Sequence, residues 1–396
     1  MNAIGRDSIL QRWRVVQHEL LPQFRGDWGA LTPRLERLVH ILEWVRIEEF
    51  TGEARSEVGR PAHERAWMAN AFVAKAVLGL TTTVALIERL RIDRSLRRIC
   101  GFEMCRRLPS EATFSRAFGE FADARLAERV HEALIEEHLG DRLIGHLSRD
   151  GTAIEARERP RRRERLVEQS APVPGQASLI GPAGSAPEAT PVKPGRRAGN
   201  RGAAKRAAKV ARKLRSPVLR QRSQALEEML AELPTACDRG TKSNAQGYKV
   251  SWNGYKAHID TADCGVPIAM LVSSASMHDS RAAIPLSLIS AQRVDSLYDV
   301  MDAAYCSAQI QEHCRELGHV PLIDHNPRGA EKEEFEPADA IRYNVRSGAE
   351  RTNARLKDEF GGRNVRVRGH GKVTSHLMFG ILALAADQFT RLYRRE

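Results

Sequence analysis

No two cysteines of the chain stand in a CxxC pair, and no ladder of histidines accompanies them. The six present, Cys100, Cys105, Cys237, Cys264, Cys306 and Cys314, are scattered over 396 residues. That excludes a disulfide scaffold and a cysteine-rich zinc module, and predicts ordinary thiols in a reducing compartment. Long apolar runs are missing too. AFVAKAVLGLTTTVALI is interrupted by Lys75 and three threonines, and LMFGILALAA is too short to span a bilayer. Behind Met1 the stretch NAIGRDSILQRW lacks the apolar core of a secretory leader. The expectation is a soluble, cytoplasmic chain with no membrane partner.

Acidic residues are scarce in one segment only. The whole chain has 62 Lys+Arg against 50 Asp+Glu, a formal charge of +12. Between Arg157 and Arg222 stand 18 basic and 4 acidic residues, so this segment carries +14 and the remainder −2. Its first half, rich in Pro, Gly and Ala, cannot bury enough apolar surface to fold alone and is expected to be disordered. Its second half, from AAKRAAKVARKLR onward, is expected to form a basic helix. Such density of positive charge suits phosphate contact, with a solvated linker as the alternative.

Either side of that segment the pattern differs. Residues 1–140 show apolar residues at three- and four-residue spacing, which predicts an all-helical domain. Asp93 and Ser110 are expected helix caps, and the two helices they open suit a helix-turn-helix carrying Ser115 and Arg116. A plain helical bundle is the other reading. Residues 141–396 read as a mixed α/β domain interrupted by the basic insertion at about 157–240. RLIGHLSRDGTAIEA, YKVSWNGYKAHIDTA, GVPIAMLVSSAS, SLYDVMDAAY and HVPLIDHN are expected strands. Asn253-Gly254 is expected to form a bulge or kink, and Asp263 to Gly265 a hairpin turn. Helices over DSRAAIPLSLISAQR, SAQIQEHCRELG, 343–360 and SHLMFGILALAADQFTRLYRR complete a mixed sheet covered on both faces.

The stretch YNVRSGAERTNARLKDEF, residues 343–360, reads as one helix. At roughly 100° per residue, Tyr343, Arg346, Glu350 and Lys357 fall within an arc of about 60°. Ile341, Val345, Ala349, Leu356 and Phe360 fall on the other side. Such a stripe is either a solvated face with an Arg346–Glu350 pair or a site.

Two aspartates favour a site. Asp150 lies inside an expected strand, where a charge is costly unless paired or bound to metal. Asp302 ends another, and Asp299, a rival ligand, faces the opposite side by strand parity. Were those strands adjacent, Asp150, Asp302 and Glu350 would converge. Carboxylates roughly 5 Å apart repel by about 3 kcal/mol per pair at an effective dielectric near 20, so hard divalent cations are expected between them. His278-Asp279 reads as a turn and helix cap, with a His-Asp catalytic pair as the minor alternative.

The spacing Tyr343-x2-Arg346-x3-Glu350-x6-Lys357 resembles the Y-(2)-R-(3)-E-(6)-K signature of DDE transposases of bacterial insertion sequences. SRDGTAIEA and MDAAYCS resemble that family's two aspartate blocks. SASMHDSRAAIPL and the helical stretches before 124 are also similar to parts of such proteins. The resemblance implies a ribonuclease-H-like catalytic core in which Asp150, Asp302 and Glu350 bind two Mg²⁺, with Mn²⁺ an expected substitute. It implies strand cleavage at element ends and strand transfer into target DNA, with Tyr343, Arg346 and Lys357 positioning DNA. The implied partners are double-stranded DNA, as terminal inverted repeats and target, and further copies of the chain in a homodimer or higher assembly. Hairpin-forming relatives carry a large insertion between the second aspartate and the glutamate, which here are 48 residues apart, so the route of second-strand cleavage is left open. A DNA-binding regulator derived from a transposase, or a structure-specific nuclease on the same fold, are the alternatives.

Overall fold

The computed structural model describes residues 31–52, 63–103, 105–160, 216–243, 246–327 and 331–394. Residues 1–30, the expected disordered stretch and the first part of the expected basic helix of the insertion lie outside them.

The helical part follows from caps and apolar spacing. Helix α1 (Pro33–Val45) starts with proline at its first position behind Thr32, whose hydroxyl accepts from Leu35 N–H. Helices α2 (Arg65–Val77), α3 (Thr83–Ile92), α4 (Arg94–Ile99), α5 (Glu111–Asp123) and α6 (Leu126–Leu139) follow. Asp93 caps α4 through Leu96 N–H at 2.9 Å, and Ser110 caps α5 through Thr113 N–H at 3.3 Å, as expected. On α5, Phe114, Ala117, Phe118 and Phe121 are buried while Ser115 and Arg116 stay exposed.

The sheet is built from β1 (Leu143–Glu155), β2 (Asp238–Ser243), β3 (Lys249–Ala262), β4 (Pro267–Ser274), β5 (Asp295–Met301) and β6 (Val320–Ile323). Its order is β2-β3-β1-β5-β6, with β4 also on β3. β3 runs antiparallel to β1, β2 and β4, whereas β1, β5 and β6 run parallel. Three antiparallel strands joined to alternating parallel units make the mixed α/β, ribonuclease-H-like fold. Strand β2 was not expected, since DRGTKS shows no apolar alternation. The expected hairpin turn forms, with Gly265 N–H donating to Ala262 O at 2.8 Å. At Asn253-Gly254 there is no register shift; the shift lies between Asp260 and Thr261. Gly254, with φ +149, pairs with both Asp238 and Glu155, and a Cβ there would lie 2.2 Å from Ile154 O. Only glycine permits that approach.

From Ser216 onward the expected basic helix of the insertion is two short helices. Helices α7 (Pro217–Gln221) and α8 (Leu226–Glu232) pack with α9 (Ser280–Ala291) and α10 (Ala308–Glu316) beneath one face of the sheet. Buried Val218 and Met229 anchor them there, and the turn at 222–225 separates what was read as one helix. On the other face lie α11 (Pro337–Tyr343), α12 (Ser347–Asp358) and α13 (His370–Arg394). The stretch read as one helix is therefore three pieces, with a 3-10 turn at Asn344–Arg346 between α11 and α12. Ser and Gly open α12, and residues of weak helix propensity there let the turn tighten.

Helix α13 is the spine. Leu377 through Asp387 are all buried, and the helix packs on α1, α2, α5, α6, α12 and β4. A helix apolar all round belongs inside a core. One hydrophobic cluster runs from Leu31 to Leu139, through Ile144, Leu147 and Ile259, to Leu356 and Phe389. The helical part and the sheet thus share a core. Among the described residues, no helix is long and apolar enough to cross a membrane.

Candidate active site

The two expected aspartates meet where the parallel pairing of β1 with β5 ends, Asp150 midway along β1 and Asp302 just past β5. Arg149 on β1 is in register with Met301 on β5, so Asp150 and Asp302 are the next residues on each strand. Neighbouring strands run about 4.8 Å apart. Burial first, and the charge of Asp302 second, raise the Asp150 carboxyl to about 6. Arg346, the Gly151 N–H and Asn353 oppose that rise. Burial also raises Asp302, helped by Asp279 and Asp324 and opposed by the Ala304 N–H, which donates to it at 2.9 Å.

Glu350 stands in the first turn of α12 and is exposed; Arg346 Nη2 donates to its Oε1 at 2.5 Å. Arg346, on the 3-10 turn, is the hub of the site. Despite burial its guanidinium is raised by Tyr343, Glu350 and Asp150, and its charge also opposes the rise of Asp302. Tyr343 packs against Phe335 with ring centroids 4.8 Å apart and planes inclined at 32°, and burial raises its phenol to about 12. Lys357, in the last turn of α12, is lowered by burial, then by Lys242 and Arg363, while Asp150 counters. Arg346 thus links Tyr343 and Glu350 electrostatically to the two aspartates, and Lys357 is linked to Asp150. The six expected residues do not form a closed ligand cluster: among the described residues no three His, Cys, Asp or Glu side chains are gathered as for a metal ion. Glu350 is engaged by Arg346.

Three residues of the site escaped sequence reading. Asn353 Nδ2 donates to Asp150 Oδ2 at 2.8 Å. Helix geometry would have found it, since it falls near 280°, beside the stripe of Arg346 and Glu350. Asp279 begins α9 but makes no side-chain cap bond. Instead it accepts from Lys256 Nζ at 2.9 Å, and its Oδ1 lies 3.1 Å from where a Cβ of Gly151 would stand. Asp279, against Gly151 and bonded by a lysine from β3, thus lies on the Arg149 face of the sheet rather than beside Asp150, and its charge reaches Asp302 from there. The His278-Asp279 pair is absent: His278 Nδ1 bonds with Ser280 Oγ at 2.8 Å. Only the strand register brings Lys256 to Asp279, so nothing local in the sequence signals it.

Beneath the site, on the opposite face, Arg149 donates twice to Asp260, at 2.7 and 2.6 Å, and Ser290 Oγ donates to the same carboxylate at 2.7 Å. Asp299 bonds His319 at 2.9 Å there, on the far side from Asp302 as strand parity requires. Burial opposes its ionisation, but His319 and Arg149 hold its carboxyl below the ordinary value.

Oxygen donors only, partly buried and mutually repelling, are the donor set that a hard divalent cation relieves. Asp150 and Asp302 fit such an ion, and Glu350 fits it once released from Arg346.

Comparison with known families matches residues 231–386 to the family described as Transposase DDE domain, and residues 24–120 to Transposase domain (DUF772). Neither the curated proteins nor the solved structures yield a match. The first match spans β2 to β6 and α9 to most of α13, including Asp302 and Glu350; Asp150 precedes it, across the basic insertion. The second covers the helices through most of α5. Both matches and the strand order agree: the chain belongs to the DDE transposases of insertion-sequence type.

Proposed function

We propose that this transposase cuts DNA at the ends of its element and joins the freed 3′-hydroxyl to target DNA, with Asp150, Asp302 and Glu350 as the metal-holding carboxylates. The register that sets Asp150 beside Asp302 carries this reading. Two Mg²⁺, or Mn²⁺ in their place, would neutralise charge on the attacking and leaving oxygens of the phosphodiester. The chain's own residues bind and orient. Asn353 fixes the Asp150 carboxylate, and the Ala304 N–H fixes Asp302. Arg346 trades Glu350 for a phosphate oxygen, which leaves Glu350 free to turn towards the aspartates. Lys357 holds a further phosphate. Tyr343, with one ring face against Phe335, has the other for a base. The helical part up to residue 140 binds DNA and further copies of the chain.

The test uses purified protein, Mg²⁺ and duplex DNA ending in the terminal inverted repeats beside the gene. Wild type nicks this DNA and transfers the freed end to a second duplex, while Asp150→Asn binds without nicking. A variant that cuts normally removes Asp150 from the reaction. Cutting without joining favours a nuclease, and binding without cutting a regulator.

A further inference from the structure

A cavity of about 310 Å³ separates the helical part from the segment after α12. Its floor is apolar: Phe72, Phe118 and Phe379, with Phe72–Phe118 centroids 4.9 Å apart. Its cations are Lys75 from α2, Arg366 and Arg368 from the 359–369 segment, and Lys372 from α13. Glu111 is the one acid in the lining, and among the described residues none of the four cations has an ion-pair partner. His376 adds no charge, because burial and Lys75 lower it to about 4 while its ring bonds Gly361 O at 3.1 Å.

An ammonium as enclosed as Lys75 is costly without a counter-ion; burial lowers it to about 8. Three further cations line the same cavity. An anion relieves the cost of the enclosed ammonium. The positive lining also continues towards the catalytic carboxylates. Lys357 feels Asp150 on one side and Lys242 and Arg363 on the other, and Arg366 and Arg368 follow Arg363 along the chain.

We propose that this cavity is a second DNA-backbone site: Lys75, Arg366, Arg368 and Lys372 grip a phosphodiester of the strand that leaves the catalytic carboxylates past Lys357. The deoxyribose rests on the phenylalanine floor, and a volume near 300 Å³ suffices for that unit. A DNA strand fits better than a free anion, because Arg366, Arg368 and Lys372 are exposed at the rim of the cavity while Lys75 is enclosed within it. The site joins the helical part to the catalytic helix through the substrate, so DNA seated there aligns both. This rests on the proposed DNA-cutting function, yet it is measured separately from cutting.

Binding is followed by fluorescence anisotropy on the full chain without divalent metal, using the terminal-repeat duplex over a range of salt. Arg366→Gln and Arg368→Gln, both exposed residues, are expected to weaken binding at low salt and each to lower the salt slope by about 1. Arg315→Gln on α10 serves as the charge control and is expected to change neither. Lys75→Gln should weaken binding similarly, with unchanged circular dichroism showing that it folds. Rim variants that behave like the control overturn the proposal. So does inorganic phosphate that binds wild type by calorimetry, and not Lys75→Gln, while DNA affinity is equal in the two: the cavity would then serve a free anion. Nicking plays no part in these readouts, so loss of the catalytic reading leaves the result interpretable.

Discussion

Asp150 is the residue at which folding and chemistry pull in opposite directions. Its carboxyl titrates at about 6 in the native chain against an ordinary 3.8. Between those values the unfolded chain has released its proton and the native chain retains it. Native stability therefore falls as pH rises from about 4 to about 6, and stays low above. Two units correspond to about 3 kcal/mol. Asp150→Asn cannot ionise, so in chelator it is expected to melt above wild type at pH 7 and level with it at pH 4. A variant that melts lower at pH 7 would show that the native site favours the charge even without metal. On the other sheet face, Arg149→Met leaves Asp260 buried without its partner and should cost about 3–5 kcal/mol in chemical denaturation. Strand parity made the Asp150, Asp302 and Asp299 assignments legible, because side chains alternate with period two. Lys256 and Asp279 were illegible, because they meet only through register between β3 and the start of α9.

At the level of elements, what matters is how α12 is held, since it carries Glu350, Asn353 and Lys357. Its end is clamped by Arg37 of α1, which donates to Glu359 at 2.7 Å and to Asp387 of α13 at 2.5 Å, and by Arg355, which bonds both Glu359 and Asp387. Burial would raise the Asp387 carboxyl, but the Arg37 bond and the charges of Arg37, Arg391 and Arg355 outweigh it and hold it low. Below this clamp α12 and α13 nearly touch: a Cβ on Gly380 would lie 2.7 Å from Phe360 O and 2.9 Å from Leu356 Cδ1. Gly380→Ala must push the helices apart, at a cost of about 1–3 kcal/mol, read as a lower melting temperature. Because the push also moves Glu350, nicking should fall more than stability explains. Full nicking at a temperature where the variant is folded would show that the placement of α12 is not limiting. The helix itself was legible from apolar spacing. Its division by a 3-10 turn was not, and neither was β2, because exposed polar residues record no periodicity. The clamp joins residues more than 300 positions apart, which no local pattern announces.

Across the whole molecule the charge is unevenly placed. The chain outside Arg157–Arg222 sums to −2, yet the catalytic side of α12 and the cavity beyond it gather cations. If the positioning of DNA rests on these few local residues, the +14 segment is expected to supply attraction that is indifferent to sequence. Described structure stops at Pro160 and resumes at Ser216, with Val218 buried, so a variant with a short Gly-Ser linker in place of residues 161–215 keeps every described core residue. The shortened chain is expected to bind terminal-repeat and unrelated duplexes more weakly by the same factor, and to show a flatter dependence of affinity on salt. Its melting temperature should match wild type. Anisotropy titrations with both duplexes at several salt concentrations decide the matter. If affinity for the terminal repeat drops while that for unrelated DNA holds, the segment reads sequence, and the division of labour between local grip and diffuse attraction is wrong.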